Sequence, residues 1–576
     1  MSVPDESWVS ATSSRNFCHS DPILDWLDRF GKEKGFVRDD ELPGYDPETD
    51  MGLFMREKGK AFEAAVMGCI EGKFQIVRVA ERAGDAKRQD LYEATLTAME
   101  NQVEMIFQPV VWDTERKMYG IPDLLVRSDV LGRLVEQPVE VPEGPVHYRV
   151  IDIKFTGLTL SSTGCVGNNA SDSRKKAQLL VYNRALGQMQ GFEPPVAYLL
   201  GRSWSQTVKS VKSRSDSCLN RLAPADMTDP TLGTLVDEAA AWIRRVRDEG
   251  SAWDVLPVPS IVELYPNMGN TQDAPWHAAK KQIGEHLGEV TLLWQVSPKH
   301  RPTAHAQGVV RFNDERQDAK VFGLAESYTA KLQRILDINV PLTGYTVLPE
   351  KISAGGDEWR DEQPLEFYVD FETVSDLDDD FSKLPNKGGQ TLIFMIGCGH
   401  MENGEWVFKV FTCDRLDLAS EKAIIDAWHE YMFLTETRLG VREPRVFHWS
   451  HAERSFLDSA YNSARVRQGA DWPELNWYDF LIKVMREEPV VVKGALAFGL
   501  KHVAKAMHKN GMIATSWEDG PGDGLAAMVG AWSCDRMARE NGGSMRDLPL
   551  MTSIEKYNEV DCRVMQEIIA YLRANH

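Results

Sequence analysis

The chain has 576 residues, which at about 100–200 residues per domain predicts about three domains. Hydrophobic residues make up 43% and charged residues 26%, and this ordinary balance excludes a wholly disordered or fibrous chain. The 86 acidic residues outnumber the 65 Lys and Arg and give a net charge of −21, which argues against a protein that coats nucleic acid through bulk charge. A nucleic-acid enzyme stays compatible with this charge, because metal-binding carboxylates add to it.

The sequence favours a cytoplasmic protein without a membrane segment. No run of 18 apolar residues occurs, and the first ten residues, MSVPDESWVS, lack the basic start and apolar run of a secretory signal. The eight cysteines are scattered, and none are spaced as Cys-x-x-Cys. This favours a reducing compartment and argues against a zinc knuckle or a disulfide framework.

Apolar spacing predicts an α/β protein with three segments, 1–225, 226–360 and 361–576. In the first segment we expect alternating helices and strands, at 21–30, 51–72, 119–128, 148–155, 174–187 and 196–200. The stretch 157–173, rich in Ser, Gly and Asn, predicts a mobile loop. The middle segment reads as mostly helical, with helices at 231–249 and 276–293, and the charged stretch 357–363 predicts a linker.

The third segment begins a second alternating pattern. We expect its first elements, in chain order, to be strands at 366–372, 391–398 and 406–411, a helix at 420–435, a strand at 445–449 and then helices. The order β-β-β-α-β-α is that of an RNase H-like core.

The apolar run 150–155 carries an acidic and a basic residue. Asp152 and Lys154 lie two positions apart, so a strand here would put both side chains on one face. Unpaired charge on a buried strand is costly, so we expect a function for the pair. Two carboxylates that hold a divalent cation, with a lysine that orients the attacking water, suit phosphodiester hydrolysis. Asp123, in Gly120-Ile-Pro-Asp123, offers the other carboxylate.

Two further motifs flank this strand. Glu63 on an early helix could supply a third carboxylate, and Gln178 and Tyr182, four apart on the next helix, share a face. The series resembles the RecB-like branch of the PD-(D/E)xK nucleases, which includes the CRISPR adaptation nuclease. The resemblance implies a restriction-endonuclease-like core, metal binding by Glu63 and the two aspartates, and a catalytic Lys154. It implies that Gln178 and Tyr182 contact DNA or support the site.

The alternative for this segment is an edge-strand ion pair with a polar helix surface beside it. Some relatives in the RecB-like branch hold an iron–sulfur cluster on one early and three late cysteines. Cys18 has a suitable early position, but only Cys218 lies late in the segment. We therefore expect no iron–sulfur cluster.

A second acidic pair lies in the third segment. Asp370 and Glu372 share one face of a strand and would repel each other unless a cation lies between them. Near the end, Tyr557 and Asp561 lie four apart on a helix. This pattern resembles the DEDD exonucleases with tyrosine, and also the RNase H-like domain that follows a RecB-like nuclease in certain two-nuclease proteins. The resemblance implies that the three acids bind Mg²⁺ or Mn²⁺ and that Tyr557 orients the attacking water.

The remaining acid of this second site is ambiguous in the sequence. The family usually has an Asp after the fourth strand, and no Asp precedes Asp458 there. Glu453 is the acid best placed at the start of the following helix, and we favour it as a ligand. Asp479 is the competing candidate, as a ligand or as a partner of one.

Residues 287–308 resemble a helix-hairpin-helix, with Ser297-Pro298 where the turn glycine usually stands. The resemblance implies that Lys299 and Arg301 contact phosphate. A packed helical linker is the alternative.

Together the resemblances imply a metal-dependent DNA nuclease with two active sites, active on single strands or at ends as an exonuclease, in DNA repair, recombination or defence. One alternative is a nucleic-acid-binding scaffold with only one active site, and another is an RNA exonuclease. No Walker A motif is present, so a helicase partner would act in trans. We expect the protein in the cytoplasm, at the nucleoid, or in the host cytoplasm if it is viral.

Overall fold

The computed structural model describes residues 3–140, 144–313, 317–339, 344–449, 456–517 and 523–576. The chain forms two compact units, and both combine helices with a β-sheet, which confirms the α/β class. The first unit comprises Met1–Tyr45, Gly52–His286 and Asp379–Gly389, and the second comprises Asp46–Met51, Leu287–Asp378 and Gln390–His576. Across these described ranges no helix is long and apolar enough to cross a membrane.

The first unit contains ten strands and seven helices among its described residues. The strands are β1 (Val9–Ser10), β2 (Ile76–Arg78), β3 (Met105–Phe107), β4 (Val111–Asp113), β5 (Met118–Gly120), β6 (Leu124–Arg127), β7 (Tyr148–Leu160), β8 (Val196–Val208), β9 (Val211–Ser215) and β10 (Ala223–Asp226). The helices are α1 (Arg15–Cys18), α2 (Ile23–Phe30), α3 (Met51–Ile70), α4 (Gln89–Glu100), α5 (Ala170–Gln190), α6 (Pro230–Glu249) and α7 (His277–Leu287).

The larger sheet of this unit has β7 near its centre. The strand order is β10-β8-β7-β6-β3-β2, with β9 paired to β8, while β1, β5 and β4 form a smaller sheet. β7 lies antiparallel to β6 and parallel to β8, and α5 makes the crossover between the two parallel strands. Val150 and Ile151 are fully buried, as the apolar run predicts for a strand that is covered on both faces.

The predicted mobile loop 157–173 is wrong at both ends. β7 continues to Leu160 through a register shift between Lys154 and Gly157, and its polar residues alternate with buried Leu158 and Leu160. α5 begins at Ala170, where the Asn169 side chain caps it by accepting from the Asp172 backbone N–H at 2.9 Å. An alternating strand edge and a capped helix start are both rich in Ser, Thr and Asn, which is why composition alone indicated a loop.

The second unit contains seven strands and seven α-helices among its described residues. The strands are β11 (Val347–Leu348), β12 (Glu366–Val374), β13 (Leu392–Glu402), β14 (Glu405–Thr412), β15 (Arg445–His448), β16 (Asn476–Asp479) and β17 (Val491–Val492). The helices are α8 (Arg301–Ala306), α9 (Glu326–Asn339), α10 (Leu418–Leu439), α11 (Phe456–Gln468), α12 (Leu500–Lys509), α13 (Gly524–Asn541) and α14 (Pro549–Asn575), with a π-helix at Leu481–Arg486.

β12 is the middle strand of the five-stranded sheet of this unit. The order is β14-β13-β12-β15-β16, with β12 antiparallel to β13 and parallel to β15. β16 lies parallel to β15. The predicted strands at 366–372, 391–398, 406–411 and 445–449 are therefore confirmed, with small differences at their ends. Helix α14 packs on β12 and β13.

The predicted middle segment, 226–360, is divided between the two units. α6 packs on α5 and so belongs to the first unit. The stretch 357–363, predicted as a linker, contains Trp359, which is fully buried in the core of the second unit. Its indole N–H donates to the Ala354 carbonyl at 2.9 Å, and its ring meets Phe480 edge to face at 5.4 Å. The charged neighbours of Trp359 made this anchored turn resemble a linker.

A buried ion-pair network holds the start of β12 to the end of α14. Arg573 donates to both carboxylate oxygens of Glu366, at 2.7 and 2.8 Å, and Arg445 donates to one of them at 3.2 Å. The side chains of all three residues are at most 9% exposed. Because removal of the acid would leave two buried guanidiniums unpaired, the network joins the two elements tightly.

We expect Glu366→Ala to lower the free energy of unfolding by about 3–5 kcal/mol, because it leaves buried charge uncompensated. Guanidinium-induced unfolding followed by tryptophan fluorescence checks this. Glu405→Ala, an exposed glutamate on β14, is the matched control and should change the midpoint little. An equal midpoint for the two variants would contradict the role given to the network.

Candidate metal centres

Three acids converge in the second unit. Each of Asp370, Glu372 and Asp561 offers a carboxylate oxygen, and these oxygens all lie within 4.8 Å of one another. In the part of the chain that the structure describes, this is the only group of three or more metal-ligating side chains gathered so closely. Glu372 and Asp561 are buried, and Asp370 is half-buried. The predicted pairing of the acidic strand with the acid of the last helix is present.

Local geometry explains why these acids meet. Asp370 and Glu372 lie two apart on β12 and so share a face of the sheet, and α14 packs against that strand. Asn558 of α14 donates to the Asp370 carboxylate at 2.9 Å and ties the helix to the strand. The partner strand carries Gly397 opposite Asp370, where any Cβ would overlap the Asn558 amide. Gly397 therefore lets the helix approach the sheet closely enough to complete the group.

All three acids have raised pKa values, chiefly because they are buried. Burial, and then the charge of Asp561, raise the pKa of Asp370 well above its usual range. Burial, followed by the charges of Asp370 and Asp561, does the same for Glu372. Burial raises the pKa of Asp561 to about 7, although Lys501 and a hydrogen bond with Tyr557 oppose that shift. A site with this much unfavourable negative charge is suited to a cation.

Tyr557 and Lys501 border the acidic group. Tyr557, one turn before Asp561 on α14, is 8% exposed, and burial and then the Asp561 charge raise the pKa of its hydroxyl. The Lys501 ammonium lies over the Tyr557 ring, 4.5 Å from its centroid. The structure thus places a cation beside the acids and the tyrosine that the sequence predicted.

The structure describes only one of the two candidates for the remaining acid. Glu453 lies outside the described residues. Asp479 ends β16, where its Oδ1 accepts from the Ile482 backbone N–H at 3.0 Å, and it is not among the three converging acids. That bond fixes Asp479 at the start of the π-helix, which is a local structural role.

In the first unit, two of the predicted acids, Asp123 and Asp152, lie close together. Asp123 accepts from the Ile153 backbone N–H at 2.6 Å, which holds it beside the strand that carries Asp152. The Lys154 ammonium lies 2.6 Å from Asp152. Burial, and then the Asp152 charge, raise the pKa of Asp123 well above its usual range, while Lys154 opposes that shift. The strand β7 thus supplies both an acid and its counterion to this site.

Glu63 joins the same group through a residue that the sequence motifs missed. Gln108 donates its side-chain amide to Glu63 at 2.8 Å, while its backbone N–H donates to the Asp123 carbonyl at 2.8 Å. Gln108 has a φ of 49°, in the left-handed region that is unusual for a residue with a side chain. The glutamine therefore ties α3 to the strand entry that positions Asp123. Burial raises the pKa of Glu63. The hydrogen bond from Gln108 opposes this shift, and the charge of Asp152 adds to it.

Gln178 and Tyr182 meet on α5 as predicted. Gln178 donates to the Tyr182 hydroxyl at 2.8 Å, and Tyr182 is 2% exposed. Burial, and then the Asp152 charge, raise the pKa of Tyr182 well above its usual range. Any Cβ at Gly120 would overlap the Tyr182 ring, so the glycine of Gly120-Ile-Pro-Asp123 makes room for it. Of the two roles predicted for Tyr182, its burial favours support of the site over contact with DNA.

One of the two phosphate contacts predicted for the helix-hairpin-helix, that of Arg301, is wrong. Arg301 is buried and donates to Glu289 at 2.9 and 3.0 Å, so its guanidinium is committed inside the second unit. Lys299 is exposed, in a single 3₁₀ turn before α8. The helix predicted at 276–293 ends at Leu287. A packed helical connection describes this stretch better than two helices around a phosphate.

The chain matches no known protein-family model and no curated protein. Its function is therefore argued from the two groups of residues above.

We expect Gly120→Ala to reduce the free energy of unfolding by about 1–3 kcal/mol, because the new methyl group must displace the packed Tyr182 ring. Chemical denaturation of the full chain measures the loss. Gly132→Ala is the control, since a Cβ there meets no atom within 4 Å. Equal stabilities of these two variants would refute the packing role of Gly120.

The metal-free acidic group of the second unit should make stability depend on pH. The folded-state pKa of Asp561, about 7, lies above its unfolded value of 3.8, so folding favours the protonated form. Stability is then greatest below pH 4 for this group and falls as pH rises toward 7. In EDTA we expect Tm to fall between pH 5 and 8, and Mn²⁺ to raise Tm by about 2–8 °C more at pH 8 than at pH 5.

Asp561→Asn should remove most of both effects, as measured by differential scanning fluorimetry. The exposed Asp90→Asn, far from both acidic groups in sequence, serves as the matched control. An equal Mn²⁺ effect at the two pH values, or an unchanged effect in Asp561→Asn, would contradict the assignment.

Proposed function

We propose that the protein is a Mg²⁺- or Mn²⁺-dependent nuclease with one active site in each unit. The observation that carries this proposal is the convergence of Asp370, Glu372 and Asp561 within 4.8 Å. Three carboxylates offer hard oxygen ligands, which Mg²⁺ and Mn²⁺ prefer. Burial, followed by the charges of the neighbouring acids, raises the pKa values of Asp370 and Glu372, so a bound cation would offset an unfavourable gathering of charge.

The element order of the second unit supports an RNase H-like core. Its β12, β13, β14, α10, β15 and α11 follow in the order β-β-β-α-β-α that the sequence predicted. The acids lie on the middle strand and on the last helix, as the DEDD resemblance implies.

In this site each side chain has a distinct task. When bound, a divalent cation lowers the pKa of a coordinated water and offsets charge on the leaving oxygen. Asp370, Glu372 and Asp561 would hold it, and the Tyr557 hydroxyl beside Asp561 would orient the attacking water. The Lys501 ammonium is placed to offset phosphate charge.

The first unit supports a RecB-like site. Glu63 lies on an early helix, Asp123 directly before β6, Asp152 and Lys154 on β7, and the Gln178–Tyr182 pair on the next helix. This is the series of elements that the PD-(D/E)xK resemblance implies. Lys154 would orient the attacking water and the acids would hold the metal.

We expect the wild type to cleave end-labelled DNA in Mn²⁺, with single strands preferred. Asp370→Asn and Asp152→Asn should each reduce cleavage by more than about 100-fold at their own site, since even the partners of metal ligands contribute about 10–100-fold. Because either site can cut alone, product ladders from the two single variants and the double variant separate the two activities.

Controls for cleavage are Asp90→Asn in the first unit and Glu405→Gln in the second, both exposed acids. Matched RNA oligonucleotides run in parallel distinguish a DNase from an RNA exonuclease. A wild type without cleavage of either nucleic acid in Mg²⁺ or Mn²⁺ would overturn the proposal. Full activity of one single variant would instead leave a protein with one active site.

A further inference from the structure

A basic hairpin lies at the edge of the larger sheet in the first unit. β9 pairs antiparallel with the second half of β8. Lys209 and Ser210 form the turn between them, and their φ angles of 48° and 68° are typical of a tight type I′ turn. Residues 203–215 carry two further cations, Lys212 and Arg214, and contain no Asp or Glu. In a chain with a net charge of −21, this hairpin is therefore a local region of positive charge.

The basic side chains of the hairpin are available to a ligand. Lys209, Lys212 and Arg214 are all exposed. Within the ranges that the structure describes, none of these three side chains makes a hydrogen bond or an ion pair. The nearest acid along the chain is Asp216, and its carboxylate pairs with the Lys387 ammonium at 3.1 Å. The positive charge of the hairpin is therefore not cancelled by a bonded acid.

Lys212 and Arg214 share one face of the hairpin with three hydroxyl groups. Lys212 lies opposite Thr207, and Arg214 lies opposite Ser205. On the other side of β8, Ser205 lies opposite Thr159 of β7. Residues opposite each other on neighbouring strands point to the same side of a sheet. This face, which we call the hairpin face, therefore offers two cations and three hydroxyls, all of which can donate to phosphate oxygens.

The opposite face of the hairpin is fixed to the rest of the first unit. The Trp204 indole donates to the Asn220 side chain at 2.9 Å, and Asn220 donates to Glu136 at 2.8 Å. Gln206 donates to a backbone carbonyl of the turn that follows β7, at 3.0 Å. Trp204 and Gln206 alternate along β8 with Ser205, so these contacts, and the Glu136 carboxylate, belong to the face away from the cations.

The strand β8 leads from the first-unit acids to the hairpin. It lies parallel to β7, with Gly201 opposite Lys154. Thr207 follows Gly201 by six residues, and at about 3.3 Å per residue this separation is about 20 Å. A stacked nucleic-acid strand advances about 3.4 Å per nucleotide, so about six nucleotides would cover this distance.

We propose that the hairpin face binds the phosphate backbone of the single-stranded DNA that the first-unit acids would cut. The inference rests on the proposed function for the identity of the ligand. Charge complementarity supports it, because Lys212 and Arg214 present unpaired cations to a polyanion in an otherwise acidic protein.

The width of the hairpin face favours a single strand over a duplex. Near Arg214 the face is three strands wide, since Arg214, Ser205 and Thr159 lie side by side on β9, β8 and β7. At about 4.8 Å between strands, the outer backbones are about 10 Å apart before side chains are added. The major groove of B-DNA, about 12 Å wide, admits a ribbon of two strands. A bare strand, in contrast, can lie along the open face.

The test measures strand binding without hydrolysis. The full chain carrying Asp152→Asn and Asp370→Asn is titrated in EDTA against a fluorescein-labelled 15-nucleotide single strand of DNA, with anisotropy recorded at several KCl concentrations. In this background Lys212→Gln and Arg214→Gln together should weaken binding by about 10-fold or more. They should also reduce the slope of log K against log salt by about 1.4, since each lost phosphate contact to a single strand contributes about 0.7.

Matched substitutions elsewhere in the first unit control for a general loss of charge. Lys281→Gln with Arg82→Gln removes one exposed lysine and one exposed arginine and should change neither affinity nor slope. Lys212→Arg keeps the charge and should retain most of the affinity. Unchanged affinity and salt slope in the doubly substituted hairpin would overturn the inference, as would absence of strand binding by the background protein.

Two competitors test the identity of the ligand. An unlabelled duplex of the same sequence should displace the labelled strand less effectively than an unlabelled single strand does, and equal potency would overturn the preference for a single strand. Poly-L-glutamate of matched charge should compete poorly, and potency equal to that of the strand would overturn phosphate recognition in favour of an acidic peptide. Because every arm is read in EDTA, a failure of cleavage in Mn²⁺ would count against the proposed nuclease and leave this binding result independent.

Discussion

The second unit is organised around a concentration of like charge. Asp370, Glu372 and Asp561 bring carboxylate oxygens within 4.8 Å of one another in a largely buried position, which is unfavourable for three ionised groups. The fold tolerates this because α14 is tied to β12 by Asn558 and because Gly397 lets the helix approach the sheet. The buried Glu366–Arg573 pair holds the other end of the same two elements. Binding of a cation would turn the least favourable part of this unit into a stabilising one.

In the first unit a lysine side chain offsets part of the negative charge of the acids. Lys154 lies 2.6 Å from Asp152, so the charge of that acid is already balanced within β7. The second site has Lys501 over Tyr557, next to the acids but on a different element. We therefore expect the second site to depend more strongly on bound metal for its stability, whereas the first should hold its geometry without it.

Sequence patterns predicted the elements that local periodicity specifies. The strand predicted at 366–372 matches β12, and the one-turn spacing of Tyr557 and Asp561 matches their place on α14, because these signals lie within a few residues. Contacts between distant segments left weaker signals. Gln108 and Asn558 each join two elements of a site, yet neither stands in a motif that separates it from an ordinary polar residue. Asn558 directly follows the motif tyrosine, but its full burial on α14 emerges only from the structure.

The remaining errors concern charged residues whose partners lie far away in sequence. Arg301 was predicted to contact phosphate, but Glu289 holds it inside the second unit. In a chain with a net charge of −21, attraction to nucleic acid cannot come from the overall field and must come from local cations. An arginine paired with a carboxylate has already lost that capacity, whereas Arg247, bonded to the carbonyls of Glu6 and Trp8, keeps it. The type of partner, which only the tertiary structure reveals, therefore decides which basic residues of this acidic protein can hold a phosphate.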